Sequence, residues 1–265
     1  MTSQAEKGQR FAALHESGTF VMPNPWDAGS ARVMAALGFE ALATTSSGFA
    51  FTLGRLDGDA TLDEVVDHVA ALAAAMPLPL SVDLENGYGP QAADAAAAIV
   101  RVAGAGAVGG SIEDFSPDEG IYPVERAAER LAAAAEAARA LSFPFTLTAR
   151  AENFLRGNPD LDDTIERLRA YEAAGADVLY APRLQTVEEV RAVCEAVSKP
   201  VNVLARPNFT LAEVTAVGAR RVSVGGPLTW VAVGSMAEAA VKVREGDFTS
   251  LRSDAEVSEW LRPPD

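Results

Sequence analysis

The stretch LSVDLENGYG, residues 80–89, decides the reading: an apolar, β-like run from Leu80 to Val82 stops at Asp83 and gives way to Glu85 and a glycine-rich turn. Three other stretches have the same shape. TTSSGF (44–49) leaves Ser47 beyond the run that starts at Ala41, GSIEDF (110–115) leaves Glu113, and LTARAENF (147–154) leaves Arg150. A barrel of parallel strands builds its active site from the strands' C-terminal ends. If the four runs belong to one barrel, three carboxylates, one arginine and one serine meet at its mouth, which suits a divalent cation and an anionic substrate.

Outward from these stretches, strand-like and helix-like segments alternate along the chain. Strand candidates are Thr19–Met22, Ala41–Thr45, Leu80–Val82, Val108–Ile112, Thr146–Ala149, Val178–Ala181, Val201–Val203 and Arg221–Val224. Between them lie stretches with apolar residues at three- and four-residue spacing: Leu62–Ala75, Ala92–Ala103, Val124–Ala140, Asp162–Ala174, Val187–Val197, Leu211–Val217 and, after the last strand, Leu228–Val243. The first residues, through Gly18, read as a polar amphipathic helix, and a short helix is expected at Ala255–Leu261. Glycines in LGFEAL, AGADVL and VGARRV suit left-handed helix ends before the next strand. Regular alternation implies a parallel sheet with helical crossovers, and eight repeats imply a closed (β/α)8 TIM barrel. An open doubly wound sheet is the alternative, since periodicity does not show closure. With no linker or change of composition, residues 1–265 read as one barrel domain with a C-terminal helical extension.

Bulk properties narrow the function classes. The chain has 265 residues, is 49% hydrophobic with a mean hydropathy of +0.08, and carries a net charge of −15 with a pI near 4.6. That charge repels a phosphate backbone, and the 22 Lys and Arg form no dense run, so nucleic acid is not an expected partner. No apolar run reaches the roughly 18 residues of a membrane span, and the expected location is cytoplasmic. The single cysteine, Cys194, sits in a helical stretch and reads as core. Gly104, Gly106 and Gly109 fit G-x-G-x-x-G, but they follow a helix and lead into a strand, the reverse of the dinucleotide fingerprint. No dinucleotide cofactor is expected.

Strand ends in a barrel lie roughly 5 Å apart, so Asp83, Glu85 and Glu113 can approach one point. Carboxylates that close repel unless one stays protonated or a cation neutralises them. Oxygen-only donors favour Mg2+, with Mn2+ as the other option. Helix N-caps or solvated loop acids are the alternative for these residues. Arg150 can bind a carboxylate bidentately or stabilise charge developing on an oxygen, or it can be spent in a salt bridge to a nearby acid. Ser47, Gly48 and Phe49 offer a hydroxyl and two backbone N–H groups as an anion cradle, unless they form only a turn. His15 and His68 fall on helices away from the strand ends, which leaves carboxylates, Tyr88 or Tyr122, or a metal-bound water as proton carriers.

In this order, from PNPWDAGSARVMAALGFEAL (23–42) through VSVGGPL (222–228), these residues resemble the isocitrate lyase and phosphoenolpyruvate mutase superfamily along nearly the whole chain. Ser47, Gly48 and Phe49 match that family's Ser-Gly loop for the substrate carboxylate. Asp83 through Gly89 match D-x-D-x-G-[YF]-G, Ile112-Glu113-Asp114 match I-E-D, Asp57 matches the Asp of G-x-P-D, and Arg150 the Arg of A-R-T-D. The resemblance implies Mg2+ held by Asp83, with Glu85 and Glu113 acting directly or through water. It implies an α-oxo acid or its enolate as ligand, with Arg150, Glu113 and Asp57 as catalytic residues. Candidate substrate-binding residues are Ser47, Gly48, Phe49, Arg150, Arg183 and Asn202. It also implies a homotetramer whose last barrel helix is exchanged between subunits, with which Leu228–Val243 and the apolar Trp260 and Leu261 are compatible.

Departures from the pattern restrict the chemistry. Where isocitrate and methylisocitrate lyases carry K-[KR]-C-G-H, this chain has Asp114 through Tyr122, with no Cys, His or Lys. The mutase Trp before the Ser-Gly loop is Thr45, the second Asp of the metal motif is Glu85, and the acid after strand six is Arg183. Arg183 either receives a second carboxylate or pairs with Glu113 or Asp114. The expectation is a Mg2+-dependent lyase acting on a small α-oxo or 2-hydroxy dicarboxylic acid through a pyruvyl enolate, decarboxylation of an oxaloacetate-like acid being the simplest case. The alternatives are a phosphonopyruvate-type C–P hydrolase or mutase, and, from another class, an oxo-acid-binding barrel with little turnover.

Overall fold

All eight apolar runs form strands, and helices start where a side chain can cap them. Thr61, Thr186 and Thr210 each accept the backbone N–H of a Glu three residues on, which returns its carboxylate to the Thr backbone, opening the helices Leu62–Ala75, Val187–Ala196 and Leu211–Ala216. In this computed structural model, residues 2–251 and 257–261 are described. Strands β1 to β8 span Phe20–Met22, Leu42–Ala43, Leu80–Asp83, Gly109–Glu113, Thr146–Arg150, Val178–Tyr180, Val201–Leu204 and Arg221–Ser223. Helices end on the expected glycines, with φ 87° at Gly38, 102° at Gly175 and 103° at Gly218. Gly104 ends helix Ala92–Gly104 and Gly109 opens β4, so the G-x-G-x-x-G spacing is a helix end and a turn.

Every pairing in the eight-stranded sheet is parallel, and β8 lies between β7 and β1, so the chain wraps round on itself. The remaining seam, between β1 and β2, is closed by Ala43 N–H donating to the Pro23 carbonyl at 3.1 Å. Asn24 reinforces it: its amide donates to the Thr44 carbonyl at 2.8 Å and accepts the N–H groups of Val224 and Gly225 at 3.0 and 2.7 Å. The structure is therefore a (β/α)8 barrel and not an open sheet. The main apolar core lies between the strands and the surrounding helices, from Leu72 and Ile99 round to Leu168 and Val193.

Two elements lie outside the expected list near the mouth. Ser46–Thr52 is a short helix, and Phe115–Ser116 pairs antiparallel with Gly120–Ile121 in a hairpin over the mouth. A further helix, Ala28–Ala36, connects β1 to β2. The short C-terminal helix is Val257–Trp260, and the expected start at Ala255 lies outside the described residues. The eighth barrel helix, Pro227–Arg244, buries only Thr229 over its 18 residues, while Trp230, Val231, Met236 and Val241 are exposed.

Candidate active site

The loop after β3 is held in place from behind by one buried arginine. Arg130, from helix Val124–Arg139, donates to the carbonyls of Asn86, Gly89 and Gln91. Gly87, at φ 87°, packs where a Cβ would stand 2.9 Å from the Ala95 Cα, so only glycine fits. Glu85 and Tyr88 are held left-handed, at φ 49° and 61°, and the Tyr88 hydroxyl donates to Glu85 Oε1 at 3.3 Å.

Asp83, Glu113 and Arg150 end adjacent strands, and the β4–β5 register sets Glu113 directly opposite Arg150. Arg150 Nη1 lies 3.3 Å from Glu113 Oε2 and 3.7 Å from Asp83 Oδ1. Its Nε lies 2.5 Å from Glu152 Oε1, and Tyr180 of β6 faces the guanidinium with its ring centre 5.6 Å away. Glu152 is fully buried and pairs its second oxygen with Arg156 Nε at 2.9 Å, while Arg156 Nη2 approaches Glu113 Oε1 at 3.5 Å. Two arginines and two glutamates thus form a closed ring with Asp83 at its edge. Glu152 and Arg156 are members of this ring that the sequence reading passes over. Burial disfavours the Arg150 charge, but Glu113, Glu152 and Asp83 together hold it well above the ordinary arginine range. Burial, with Glu152 and Asp83 adding, pushes the Glu113 carboxyl up, against the pull of Arg150 and Arg156.

A mouth cavity of about 190 Å3 is lined by Ser46, Asp57, Glu85, Glu113, Arg150 and Arg156 among others. Asp57 is exposed at its rim. A second cavity of about 60 Å3 lies on the barrel axis, and Arg150 lines both. Asp83 and Asn202 line the axial cavity, where Asn202 is 1% exposed.

The expected Ser-Gly loop is the first turn of the helix Ser46–Thr52. Phe49 N–H is spent on the Thr45 carbonyl at 3.0 Å and its ring stacks on His68 with centres 4.0 Å apart, so Phe49 is core and its N–H is not a cradle donor. The turn aims instead at Asp83, whose Oδ2 accepts Ser46 N–H at 3.3 Å. Ser47 Oγ lies 3.2 Å from Thr45 Oγ1, and a Cβ on Gly48 would stand 2.6 Å from Thr45 Cγ2 and 2.7 Å from Thr229 Oγ1. Gly48→Ala is expected to destabilise the protein by about 1–3 kcal/mol by overpacking, read as a lower urea midpoint with an unchanged slope. Arg183 is exposed, at φ 70°, and does not pair with Glu113 or Asp114, whose ion partners are Arg150 and Arg156, and Arg167. His15 packs against Phe11 and Phe20 away from the mouth, as its helix position implies. Tyr122 is 1% exposed with its hydroxyl accepting from Asn86 at 3.3 Å, which leaves Tyr88 nearer the carboxylates.

The donors suit a hard cation held largely through water. Among the described residues no three Asp, Glu, His or Cys side chains form a ready-made cage. Asp83 nevertheless has only long contacts, from Ser46 N–H at 3.3 Å, Glu85 N–H at 3.4 Å and Arg150 at 3.7 Å. Burial, then Asp83, then Asp57 push the Glu85 carboxyl up to about 7. Burial is the larger cause, and the share from Asp83 and Asp57 is negative charge that a cation would neutralise; Mg2+ accepts one or two carboxylates while keeping its waters. Glu113, facing arginines with both oxygens, can reach such an ion only through water.

The Glu85 shift fixes a pH dependence. Its folded carboxyl holds a proton that the unfolded chain releases near 4.5, so its contribution to stability is full below that value and is lost as pH rises to about 7. Thermal midpoints without metal are expected to fall over this window, and Mg2+ to raise them more at pH 8 than at pH 5.

The family model for phosphoenolpyruvate phosphomutase matches residues 11–244. The chain belongs to the isocitrate lyase and phosphoenolpyruvate mutase superfamily. It is 50% identical to a Burkholderia cenocepacia J2315 protein with the provisional name lyase/mutase, whose crystal structure superposes with a TM-score of 0.95 over 99% of this chain and 98% of that one. An uncharacterised Mycobacterium tuberculosis protein, Rv1998c, is 32% identical over 89% of this chain and 90% of its own length. An oxaloacetate decarboxylase from Paraburkholderia xenovorans is 30% identical over 91% of this chain and 82% of its own. The superfamily consists of carbon–carbon lyases and phosphomutases, and this chain is an enzyme of that kind. Within it, the segment that carries the lyases' loop cysteine is here the Phe115–Ile121 hairpin, whose side chains supply no thiol, imidazole or amine. Arg156 instead stacks on Phe115, 3.6 Å from guanidinium carbon to ring centre, tying the hairpin to the ion-pair ring.

Proposed function

We propose that this superfamily member is a Mg2+-dependent carbon–carbon lyase for a small α-oxo or 2-hydroxy dicarboxylic acid, and in the simplest case decarboxylates an oxaloacetate-like acid to the pyruvyl enolate. The observation that carries the reading is Arg150, fixed at the mouth by Glu113, Glu152 and Asp83 where, among the described residues, the cavity walls hold no thiol, imidazole or amine. Decarboxylation needs an electron sink and no loop cysteine. When bound at Asp83 and, through water, Glu85 and Glu113, Mg2+ would act as a Lewis acid on the oxo and carboxylate oxygens. Arg150 carries the negative charge that develops on the enolate oxygen as CO2 leaves, and because its position is set beforehand it needs no reorganisation. Glu85 and Tyr88, hydrogen-bonded to each other at 3.3 Å, are the chain's candidates for returning a proton to the enolate carbon. The hairpin, through Phe115 and Pro117, and Arg156 border the site.

A C–P substrate is less well served than a carboxylate, because a phosphonate dianion brings more negative charge to a mouth whose two arginines are already paired. Pyruvate release from oxaloacetate, measured above the metal-catalysed background with Mg2+ and with EDTA, tests the reading. Turnover abolished by EDTA is expected, and no turnover across a panel of oxo and hydroxy dicarboxylates would favour a binding barrel.

The exposed apolar residues of Pro227–Arg244, spread around the helix, support a tetramer in which this helix packs on a neighbouring subunit. Light scattering on the purified protein is expected to give four times the 27.7 kDa chain mass. A monomer at micromolar concentration would contradict that assembly.

A further inference from the structure

Among the described residues, the barrel interior holds a buried cation that no carboxylate touches, Asp83 being the one acid in the wall of the cavity beside it and lying against Arg150. Arg221, the first residue of β8, is 2% exposed, and among the described residues it forms no ion pair with a carboxylate. Its partners are neutral. Nε donates to Asn202 Oδ1 at 2.9 Å, Nη2 to Thr148 Oγ1 at 3.0 Å, and Nη1 lies 3.3 Å from His15 Nε2. His15 gives its other ring nitrogen to the Phe11 carbonyl at 2.8 Å, and burial followed by Arg221 pushes it down to about 3, so the imidazole is neutral and acts as the acceptor. Of the five N–H hydrogens of a guanidinium, two remain for another acceptor. Burial lowers Arg221 to about 9, but at neutral pH it is still charged. The positive charge of Arg150, by contrast, is matched by three carboxylates.

The axial cavity lies against this cation. Its wall includes Asn24, Ser81, Ser111, Asn202, Ser223 and Arg221, where other barrels carry branched apolar residues, with Asp83 and Arg150 also in it as one opposed charge pair. Its volume of about 60 Å3 admits a few waters or one compact anion, and its polar wall is of the kind that holds such guests. A buried charge is costly without a partner, and the wall's hydroxyl and amide groups can supply the remaining hydrogen bonds. Arg150 lines this cavity and the mouth alike, so the two lie on either side of its side chain.

We propose that the axial cavity is a small-anion site, with Arg221 as its receptor, that takes a halide or a one-carbon carboxylate beneath the mouth. The same chemistry has two sources: a free monovalent anion, or the carboxylate end of a substrate entering from above. The site does not depend on which reaction the mouth performs.

Crystals of the wild-type protein grown in sodium bromide and measured at the bromine edge test it. An anomalous peak within hydrogen-bond distance of the Arg221 guanidinium is expected, and an axial cavity with no peak at saturating bromide would overturn the proposal. Crystals to which oxalate and Mg2+ are added distinguish the sources: displaced bromide assigns the site to a substrate carboxylate, and retained bromide to a free anion. In solution, sodium formate and sodium bromide are expected to raise the thermal midpoint of the wild type more than that of Arg221→Gln. Equal responses in the two proteins would count against the site, while a variant that fails to fold leaves the diffraction result to decide.

Discussion

Arg150→Ala is expected to abolish turnover and to remove about 3–5 kcal/mol of stability, the usual cost of breaking a buried ion pair from one side. The substitution leaves Glu113 and Glu152, 8% and 0% exposed, with Arg156 as their one remaining cation among the described residues, and takes from Asp83 its arginine partner. Urea unfolding reads the first effect and oxaloacetate turnover the second. Arg150→Lys separates them, because lysine keeps the charge and loses the planar fork that reaches Glu113 and Glu152 together. That variant should recover much of the stability while its kcat stays down by about 10²–10³, the range for removing one preorganised stabiliser of transition-state charge. An Arg150→Ala protein as stable as the wild type would mean that the ring does not hold the mouth together.

Asp114→Ala is expected to cost a similar 3–5 kcal/mol, although Asp114 does not line the mouth. Its carboxylate, 2% exposed, accepts Glu152 N–H at 2.8 Å on one oxygen, and Arg167 Nη1 at 3.0 Å and the Tyr171 hydroxyl at 2.5 Å on the other. Alanine would leave a buried phenol without its acceptor, reduce the partners of the Arg167 guanidinium to Asp163 and the Tyr122 carbonyl, and release the backbone that carries Glu152. Turnover should fall with stability, since Glu152 orients Arg150. Tyr171→Phe, which removes one donor and keeps the charge pair, should cost only about 1 kcal/mol. Equal losses from the two substitutions would show that the Asp114–Arg167 pair contributes little. Thermal and urea unfolding of both variants provide the comparison.

The positions of Asp83, Glu113 and Arg150 were legible because each ends a run whose alternation and length mark a strand, and the barrel then brings strand ends together. Closure was not legible, since it rests on single contacts such as Ala43 N–H to Pro23 and the amide of Asn24. The helix Ser46–Thr52 was hidden because Ser, Gly, Thr and Phe are poor helix formers. Glu152 and Arg156 follow the strand end, in a turn with no periodicity to give their direction. The acid two residues beyond Arg150 was nonetheless a signal that could have been used. Arg221 could also have been found, because alternation in Arg221-Val222-Ser223 puts the arginine and the serine on one face, and Ser223 lines the axial cavity. Arg183, read from a resemblance alone, turned outward because a left-handed residue ends the run after β6.

The central claim, a metal-dependent oxo-acid site at the barrel mouth, is tested most directly by thermal unfolding with oxalate, a mimic of the pyruvyl enolate, in the presence and absence of Mg2+. A ligand that binds only the folded state at a hundredfold excess over its dissociation constant adds about 2.7 kcal/mol, a rise of about 5–10 °C for a chain of this size. A rise that requires oxalate and Mg2+ together and disappears in Asp83→Ala is the predicted result. An unchanged midpoint with both present, or a rise that persists in Asp83→Ala, would contradict it.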